Sequence, residues 1–413
     1  MSTQNLKTVK LIMVTSNNNN KFYEMKENGD GTFTVNYGRV GGRSTTQTYN
    51  MREWNKKYNE KVRKGYKAQT HLFVEDEEEI ELEDVKDSVV QSLINSLMQY
   101  AKKSISKNYT VSADQVTKKQ VEEAQRLLDA LVGEVKKGMK LQEFNKTLLD
   151  LYQVIPRKMK NVNDHLIKQA TTDDDIKYIE TELAEEQATL DVMRGQVDIN
   201  EKKKAASKEK IEKEEKLNIL QTMGLEVEQV NDNDTIKQIK DLMQEHSKRF
   251  HKAFKVINHK SQKAYDNWLE GKDNKKEELF WHGSRNENWL SILETGLVLR
   301  PANAVISGKL FGYGLYFADK FKKSLNYTSL RGSYWARGTA DKGYLALYKV
   351  HVGNQFHIKK HQSWCYQLTE ENLKKKGADL DSLYAQGGAD LINNEYIIYN
   401  QAQCTVQYLI EVR

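Results

Sequence analysis

The apolar periodicity of this chain changes twice along its 413 residues, and those changes limit the available folds more than any single motif does. Up to about residue 72 the apolar residues fall in short alternating runs, "KLIMVTS", "KFYEMKE" and "TFTVNYGRV", with "NGDG" between the second and third. Asn-Gly and Asp-Gly between such runs signal tight hairpins, because both central turn positions tolerate positive φ. With a helix expected from about Asn50 to Lys64, this segment reads as a small antiparallel sheet carrying one helix. From about residue 84 to 271 the spacing becomes helical. Val85, Val89, Leu93 and Leu97 recur every four residues, and Val121, Ala124, Leu128, Leu131 and Val135 alternate steps of three and four. Pro156 alone interrupts this stretch, ending a helix through its missing amide donor. From Leu279 onward, short strands and glycine turns return.

A chain this long exceeds what one hydrophobic core usually supports, so several domains are expected. The periodicity divides it into a sheet domain at 1–72, an acidic linker at 73–84, an all-helical bundle at 85–275 and a mixed α+β domain with antiparallel sheets at 276–413. Charge supports the first division. Residues 1–72 hold 13 Lys or Arg against 5 acids, whereas "EDEEEIELED" at 75–84 holds eight acids in ten residues. A basic domain followed by an acidic tether points to a polyanionic partner and an extended joint. The lysine- and glutamate-rich stretch from Ile176 to Leu220 reads as a solvated helix.

Two cysteines, Cys365 and Cys404, provide no Cys-x-x-Cys clip, which excludes zinc fingers and agrees with a reducing compartment. His246, His251 and His259 are five and eight residues apart and do not share a helix face, so no metal site is expected. No run of eighteen apolar residues is present, so neither a membrane span nor a membrane partner is expected. The expected location is intracellular: nuclear in a eukaryote, nucleoid or cytoplasm in a bacterium.

In "NYGRVGGR", Tyr37 and Arg39 are two apart and project from one strand face, with Gly38 between them. An aromatic beside an Arg on a basic face can stack on a base or ribose while the guanidinium grips phosphate; a Tyr packed in the sheet is the alternative. The last third carries the chemistry. "FWHGSR" ends an apolar strand at His282, with Gly283 allowing close approach and Ser284 offering a hydroxyl. "GLYFADKFKKSLNY" supplies Tyr316, Phe317, Ala318, Lys323, Ser324 and Tyr327, where two aromatic faces could enclose a flat ring. "INNEYIIY" places Glu395 in an otherwise apolar strand, where acids are depleted. "GYG" in "LFGYGLYF" lacks the third glycine and the strand-turn-helix setting of a dinucleotide fingerprint.

The order His, Tyr, Glu within these three motifs closely resembles the ADP-ribosyltransferase domain of poly(ADP-ribose) polymerases. "YGRVG" resembles the WGR domain that binds DNA ends and nicks in the DNA-dependent members, with Tyr37 in the place of the tryptophan. "VTKKQVEEAQRLL" and "LLDLYQVIP" resemble their helical regulatory domain. The resemblance implies a multidomain α+β protein that consumes NAD⁺ as substrate and uses no metal. It implies that His282 holds the nicotinamide ribose, Gly283 and Ser284 grip the carboxamide, Tyr316 and Tyr327 enclose the ring, Lys323 lines the pocket, and Glu395 stabilises the transition state. It further implies DNA contact through Tyr37, Gly38 and Arg39, and transfer of ADP-ribose to protein acceptors, the chain itself included. Glu75 and Glu77 of the acidic tether are the exposed candidates for self-modification. Val298 stands where many relatives carry Arg, with Arg300 nearby, which affects the adenosine or diphosphate side of the pocket. Two other functions stay open on the same fold: a non-enzymatic DNA-end binding scaffold, and a single-transfer ADP-ribosyltransferase or NAD⁺ glycohydrolase.

Overall fold

A computed structural model describes residues 6–69, 82–213, 217–299 and 310–413. The acidic residues Glu75 and Glu77, and Arg300, lie outside those described. The chain forms two compact units: Met1–Glu79 with Lys102–Val197, and Ile80–Ala101 with Asp198–Arg413.

The first unit contains the expected small sheet. Strands β1 (Thr8–Thr15), β2 (Asn19–Glu27), β3 (Thr32–Arg39), β4 (Ser44–Asn50) and β5 (Lys67–Ala68) form one antiparallel sheet in the order β4-β3-β2-β1-β5. Gly29 and Gly31 of the "NGDG" turn hold φ of 79° and 83°, as the hairpin requires. Alternate residues Leu11, Met13, Tyr23, Met25, Phe33 and Val35 bury against Trp54, the first residue of α1 (Trp54–Arg63).

Helices α2 (Ser88–Asn108), α3 (Lys118–Lys137), α4 (Leu141–Val154) and α5 (Asp173–Lys213) follow. A capping box starts α3: Thr117 Oγ1 accepts from the Gln120 amide, and Gln120 Oε1 accepts from the Thr117 amide. Its predicted stripe is buried at Val121, Ala124, Leu128 and Leu131. The 41-residue α5, about 60 Å long at 1.5 Å per residue, is more than the solvated helix expected, since Ile179, Leu183, Leu190, Met193 and Val197 are buried along it.

The helical segment does not extend to 275. After α6 (Ile219–Met223), strand β6 (Leu225–Gln229), α7 (Asn233–Met243), strand β7 (Phe250–Asn258) and α8 (His259–Glu270) lead to β8 (Glu277–Gly283). Strand β7 pairs with β14 (Cys404–Val412), and β6 pairs with β7, so residues 225–258 build the same sheet as the C-terminus. Its order is β6-β7-β14-β10-β8, with β10 (Gly343–His351), and every pair is antiparallel. The boundary expected at 276 is therefore corrected to the region just before α6. An all-helical domain spanning 85–275 is not what the chain forms: Val90, Leu93, Ile94 and Leu97 of α2 join the core of this second unit.

A central strand is covered on both faces, and β14 is one. Leu409, Ile410 and Val412 are all fully buried. The four-stranded second sheet takes α9 (Trp289–Thr295), β9 (Leu315–Phe317), α10 (Phe321–Leu325), β11 (Gln355–Ile358), α11 (Glu370–Lys374), β12 (Ser382–Ala385) and β13 (Glu395–Ile398) around it, in the order β11-β12-β13-β9. Its β11–β12 pair is parallel, so the sheet is mixed and not wholly antiparallel. Both cysteines are free and buried.

Candidate active site

The two sheets of the second unit are joined by backbone hydrogen bonds between β8 and the residue after β9. The Trp281 amide donates to the Ala318 carbonyl at 2.8 Å and the Ala318 amide donates back to Trp281 at 3.1 Å. This bridge holds β8, which ends in His282 and Gly283, against the strand that carries Tyr316 and Phe317.

His282 is the penultimate residue of β8 and lies opposite Ala346 on β10. Its Nδ1 donates to the Tyr316 carbonyl at 3.2 Å. In the neutral ring that donation makes Nε2 the acceptor. The imidazole is fixed by edge contacts with Trp289, Phe317 and Tyr348, with centroids 6.5, 5.9 and 6.0 Å away. Gly283 follows because nothing larger fits: a Cβ there would lie 1.9 Å from the Ser324 carbonyl oxygen on α10. Ser284 Oγ accepts from Asn288 Nδ2 at 3.0 Å, and the Ser284 carbonyl accepts from Trp289 Nε1 at 3.3 Å, so its loop is pinned from two sides.

Tyr316 pairs with Ile397 across β9 and β13. Its hydroxyl donates to the Gly312 carbonyl and accepts from the Phe311 amide, both at 3.0 Å, which fixes the ring plane. Burial and, secondarily, the charge of Glu395 raise its phenol well above the ordinary range. Tyr327 is 43 % exposed, and its phenol is likewise raised by burial and by Glu395. Both rings therefore sit within the field of one carboxylate.

Glu395 opens β13 opposite Ala385, half-buried. Its Oε1 is 2.5 Å from Lys323 Nζ, and Lys323 also donates to the Asn394 carbonyl at 3.2 Å. Burial pulls the Lys323 ammonium below the ordinary lysine range, with Glu395 opposing the shift. Asn394, not singled out by the sequence reading, anchors this corner. Its Nδ2 donates to Asp319 Oδ2 at 2.7 Å and its Oδ1 accepts from the Gly387 amide at 2.9 Å. Its signal was the doubled asparagine before Glu395. Phe317 and Ala318 shape the wall, and Ser324 is buried against Gly283. Val298 is exposed.

The N-terminal candidates are built differently from expectation. Arg39 does not present a fork to solvent: its guanidinium donates to Asn18 Oδ1 at 3.0 Å and to the carbonyls of Asn18, Met159 and Lys160 at 2.9, 3.4 and 3.0 Å. Those bonds join β3 to the loop after α4. Gly38 is required by the turn leading into β4, since a Cβ would lie 2.5 Å from the Arg43 carbonyl oxygen. Tyr37 is partly buried, its ring 5.8 Å from Tyr23 with Lys61 over both. Among the described residues no group of three or more His, Cys, Asp or Glu is placed to hold a metal, and no helix is long and apolar enough to cross a membrane. A groove of about 290 Å³ in the first unit, near Lys10, Asn36 and Gln115, holds no comparable constellation.

Two segments of the chain match known families. Residues 212–413 match the Poly(ADP-ribose) polymerase catalytic domain and residues 9–72 match the WGR domain. The chain is 37 % identical over 191 residues to "Uncharacterized protein 101L" of Invertebrate iridescent virus 6, covering 46 % of this chain and 78 % of the viral one. It is 32 % identical over 195 residues to that virus's "Putative poly [ADP-ribose] polymerase-like 100L", covering 46 % of this chain and 98 % of the viral one. It is 31 % identical over 168 residues to human "Poly [ADP-ribose] polymerase 2", covering 33 % of this chain and 26 % of the human one.

Proposed function

Because the chain belongs to the poly(ADP-ribose) polymerase family and carries its ADP-ribosyltransferase domain, we propose that His282, Tyr316 and Glu395 are the residues with which it cleaves NAD⁺. The observation that supports this is that β8, β9, α10 and β13 are tied to one another: His282 bonds the Tyr316 carbonyl, Tyr316 pairs with Ile397, Gly283 closes on Ser324, and Lys323 pairs with Glu395.

Breaking the bond from ribose to nicotinamide builds positive charge on the anomeric carbon, as glycoside cleavage does. A fixed carboxylate beside that carbon stabilises the charge without reorganising. Glu395 does this through the ribose 2′-hydroxyl, and its other role is to orient the incoming acceptor hydroxyl and accept its proton. His282 Nε2 accepts a hydrogen bond from a ribose hydroxyl. Gly283 and Ser284 hold the carboxamide of nicotinamide, and Tyr316 and Tyr327 flank the ring. Positioning accounts for the rest.

We also infer that the N-terminal domain binds DNA nicks or ends, with the partly buried Tyr37 as its stacking ring, and that DNA stimulates transfer to protein acceptors, including this chain. Moving an occluded site from about one to ninety-nine per cent open requires roughly 5.5 kcal/mol of preference for one state. Several phosphate contacts suffice, and their effect falls with salt. Chain elongation follows from Glu395 serving an acceptor that is itself a ribose.

The test is incubation with NAD⁺, with and without nicked duplex DNA, reading both nicotinamide release and product size. No transfer under either condition overturns the transferase reading; a single ADP-ribose unit replaces elongation with one transfer. Glu395→Gln is expected to abolish elongation while NAD⁺ binding persists, and long chains from that variant would overturn the role given to Glu395.

A further inference from the structure

The loop from Asn326 to Ala340, between α10 and β10, is ordered by internal bonds and yet displays its largest side chains to solvent. Thr328 Oγ1 and Ser333 Oγ both donate to the Leu325 carbonyl, at 2.8 and 3.0 Å, and both residues are buried. The amides of Trp335 and Ala336 converge on the Asn326 carbonyl at 3.0 Å each. Leu330 bridges to Ala340, and Arg337 holds φ of 48°, a conformation that a non-glycine residue adopts only where its surroundings impose it. The entropy of ordering this loop has been met by its own polar network. Tyr334 and Trp335 are nevertheless 70 % and 62 % exposed, packed edge to face at 4.7 Å. A loop selected for stability alone would bury those rings.

What they face is set by charge. Of the six basic residues from Lys320 to Lys342, Lys323, Arg331 and Lys342 pair with Glu395, Asp341 and Glu411, which leaves Lys320, Lys322 and Arg337 exposed on this loop and the helix before it. Arg337, two residues from Trp335, is exposed. Exposed aromatic faces among cations are how proteins hold an unpaired nucleic-acid strand: bases stack on the rings and the backbone follows the positive charge, with little sequence preference. Inside a double helix the base faces are already stacked on one another, so only its ends or nicks offer one to such rings. We propose that Tyr334 and Trp335 form a stacking platform for single-stranded nucleic acid on the second unit. The platform is anchored to Asn326, the neighbour of Tyr327, so the bound strand lies next to the proposed NAD⁺ site. It is separate from the duplex-end binding inferred for the N-terminal sheet, and it does not rest on the transferase reading.

Trp335 provides its own reporter, since the chain's other five tryptophans are buried or partly buried. The full chain and each variant are titrated into a fluorescein-labelled oligothymidylate of about 20 nucleotides, following its anisotropy, which does not depend on Trp335. Quenching of the unsubstituted chain's tryptophan is followed with the oligonucleotide, ADP-ribose polymer and an acidic peptide as parallel ligands. The expected result is saturable quenching by the oligonucleotide that weakens with salt. Trp335→Ala and Tyr334→Ala are each expected to weaken binding roughly tenfold, while Trp335→Phe keeps most of it. Unfolding temperature and DNA-independent NAD⁺ turnover stay unchanged in all three. Quenching by the polymer or the peptide but not by the oligonucleotide overturns the proposal. Equal oligonucleotide affinity in Trp335→Ala and the unsubstituted chain also overturns it, since binding would then belong elsewhere.

Discussion

Lys323 Nζ lies 2.5 Å from Glu395 Oε1, and this contact clamps the short helix after the Tyr316 strand to the strand that Glu395 opens. Both side chains are only 17 % and 15 % exposed, so the pair is far from a freely solvated one. Lys323→Met leaves a half-buried carboxylate without its countercharge, and breaking such pairs is strongly unfavourable. NAD⁺ turnover is expected to fall by at least about tenfold, which corresponds to about 1.4 kcal/mol, with Lys323→Arg recovering part of it. Burial holds the Lys323 ammonium below the ordinary lysine range, so the pair is lost on the alkaline side before a solvated lysine would titrate. The pH–rate profile therefore falls at its alkaline end below about pH 10.4, and Lys323→Arg moves that fall upward. A Lys323→Met enzyme as active as the parent would remove Lys323 from the mechanism.

Gly283→Ala tests the close approach of helix and strand. The added methyl would meet the Ser324 carbonyl at 1.9 Å, and that oxygen belongs to backbone that cannot swing aside. Overpacking of this kind costs about 1–3 kcal/mol and displaces α10, which carries Lys323. The unfolding temperature and NAD⁺ affinity should drop together. Loss of stability with unchanged affinity would mean that the carboxamide is not held at this strand end.

What the sequence disclosed depended on distance along the chain. The hairpins of the first sheet, α1 and the α3 stripe rest on local periodicity and turn chemistry, and they formed where expected. The strands at Leu225–Gln229 and Phe250–Asn258 were absorbed into a helical segment because the second finds its partner β14 some 150 residues later. The alternation in "FHKAFKVIN" was present, but only that pairing gives it meaning. His282, Tyr316 and Glu395 could be singled out as candidates because their motifs are specific, and their roles rest on the incubation with NAD⁺. Asn394 and its bonds to Asp319 and Gly387 were not, since nothing in "INNEY" states which loop it will hold.

Arg39 illustrates the same point and gives a third prediction. Its bonds reach Met159 and Lys160, some 120 residues away, and satisfy carbonyls at the end of a loop. Arg39→Ala is expected to lower the stability of the first unit by about 1–3 kcal/mol by leaving those acceptors unpaired. Arg39→Lys should not rescue it, because an ammonium cannot span four oxygens with a planar fork. Denaturant unfolding without DNA reads this directly. If Arg39→Ala instead keeps full stability and loses only DNA affinity, the guanidinium acts on phosphate.

Four tyrosines of the second unit make its stability fall in alkali. Tyr265, Tyr344, Tyr348 and Tyr399 are buried, and burial raises every one of their phenols above the ordinary value near 10. Above that pH the unfolded chain releases protons that the folded chain retains. The folded state then binds more protons, so stability declines as pH rises, by up to about 1.4 kcal/mol per pH unit for each tyrosine. Tyr265, Tyr344 and Tyr399 donate to Glu277, Glu411 and the Phe311 carbonyl, whereas the Tyr348 hydroxyl is buried with no hydrogen-bond partner among the described residues. Tyr348→Phe thus removes an unpaired polar atom without breaking a bond. Near pH 8 it should be as stable as the parent or more so, and above pH 10 it should lose stability less steeply. Denaturant titrations across that range, with phenolate absorbance followed in parallel, measure both slopes. Parallel curves for the two proteins would show that the Tyr348 phenol ionises as freely in the fold as in the unfolded chain.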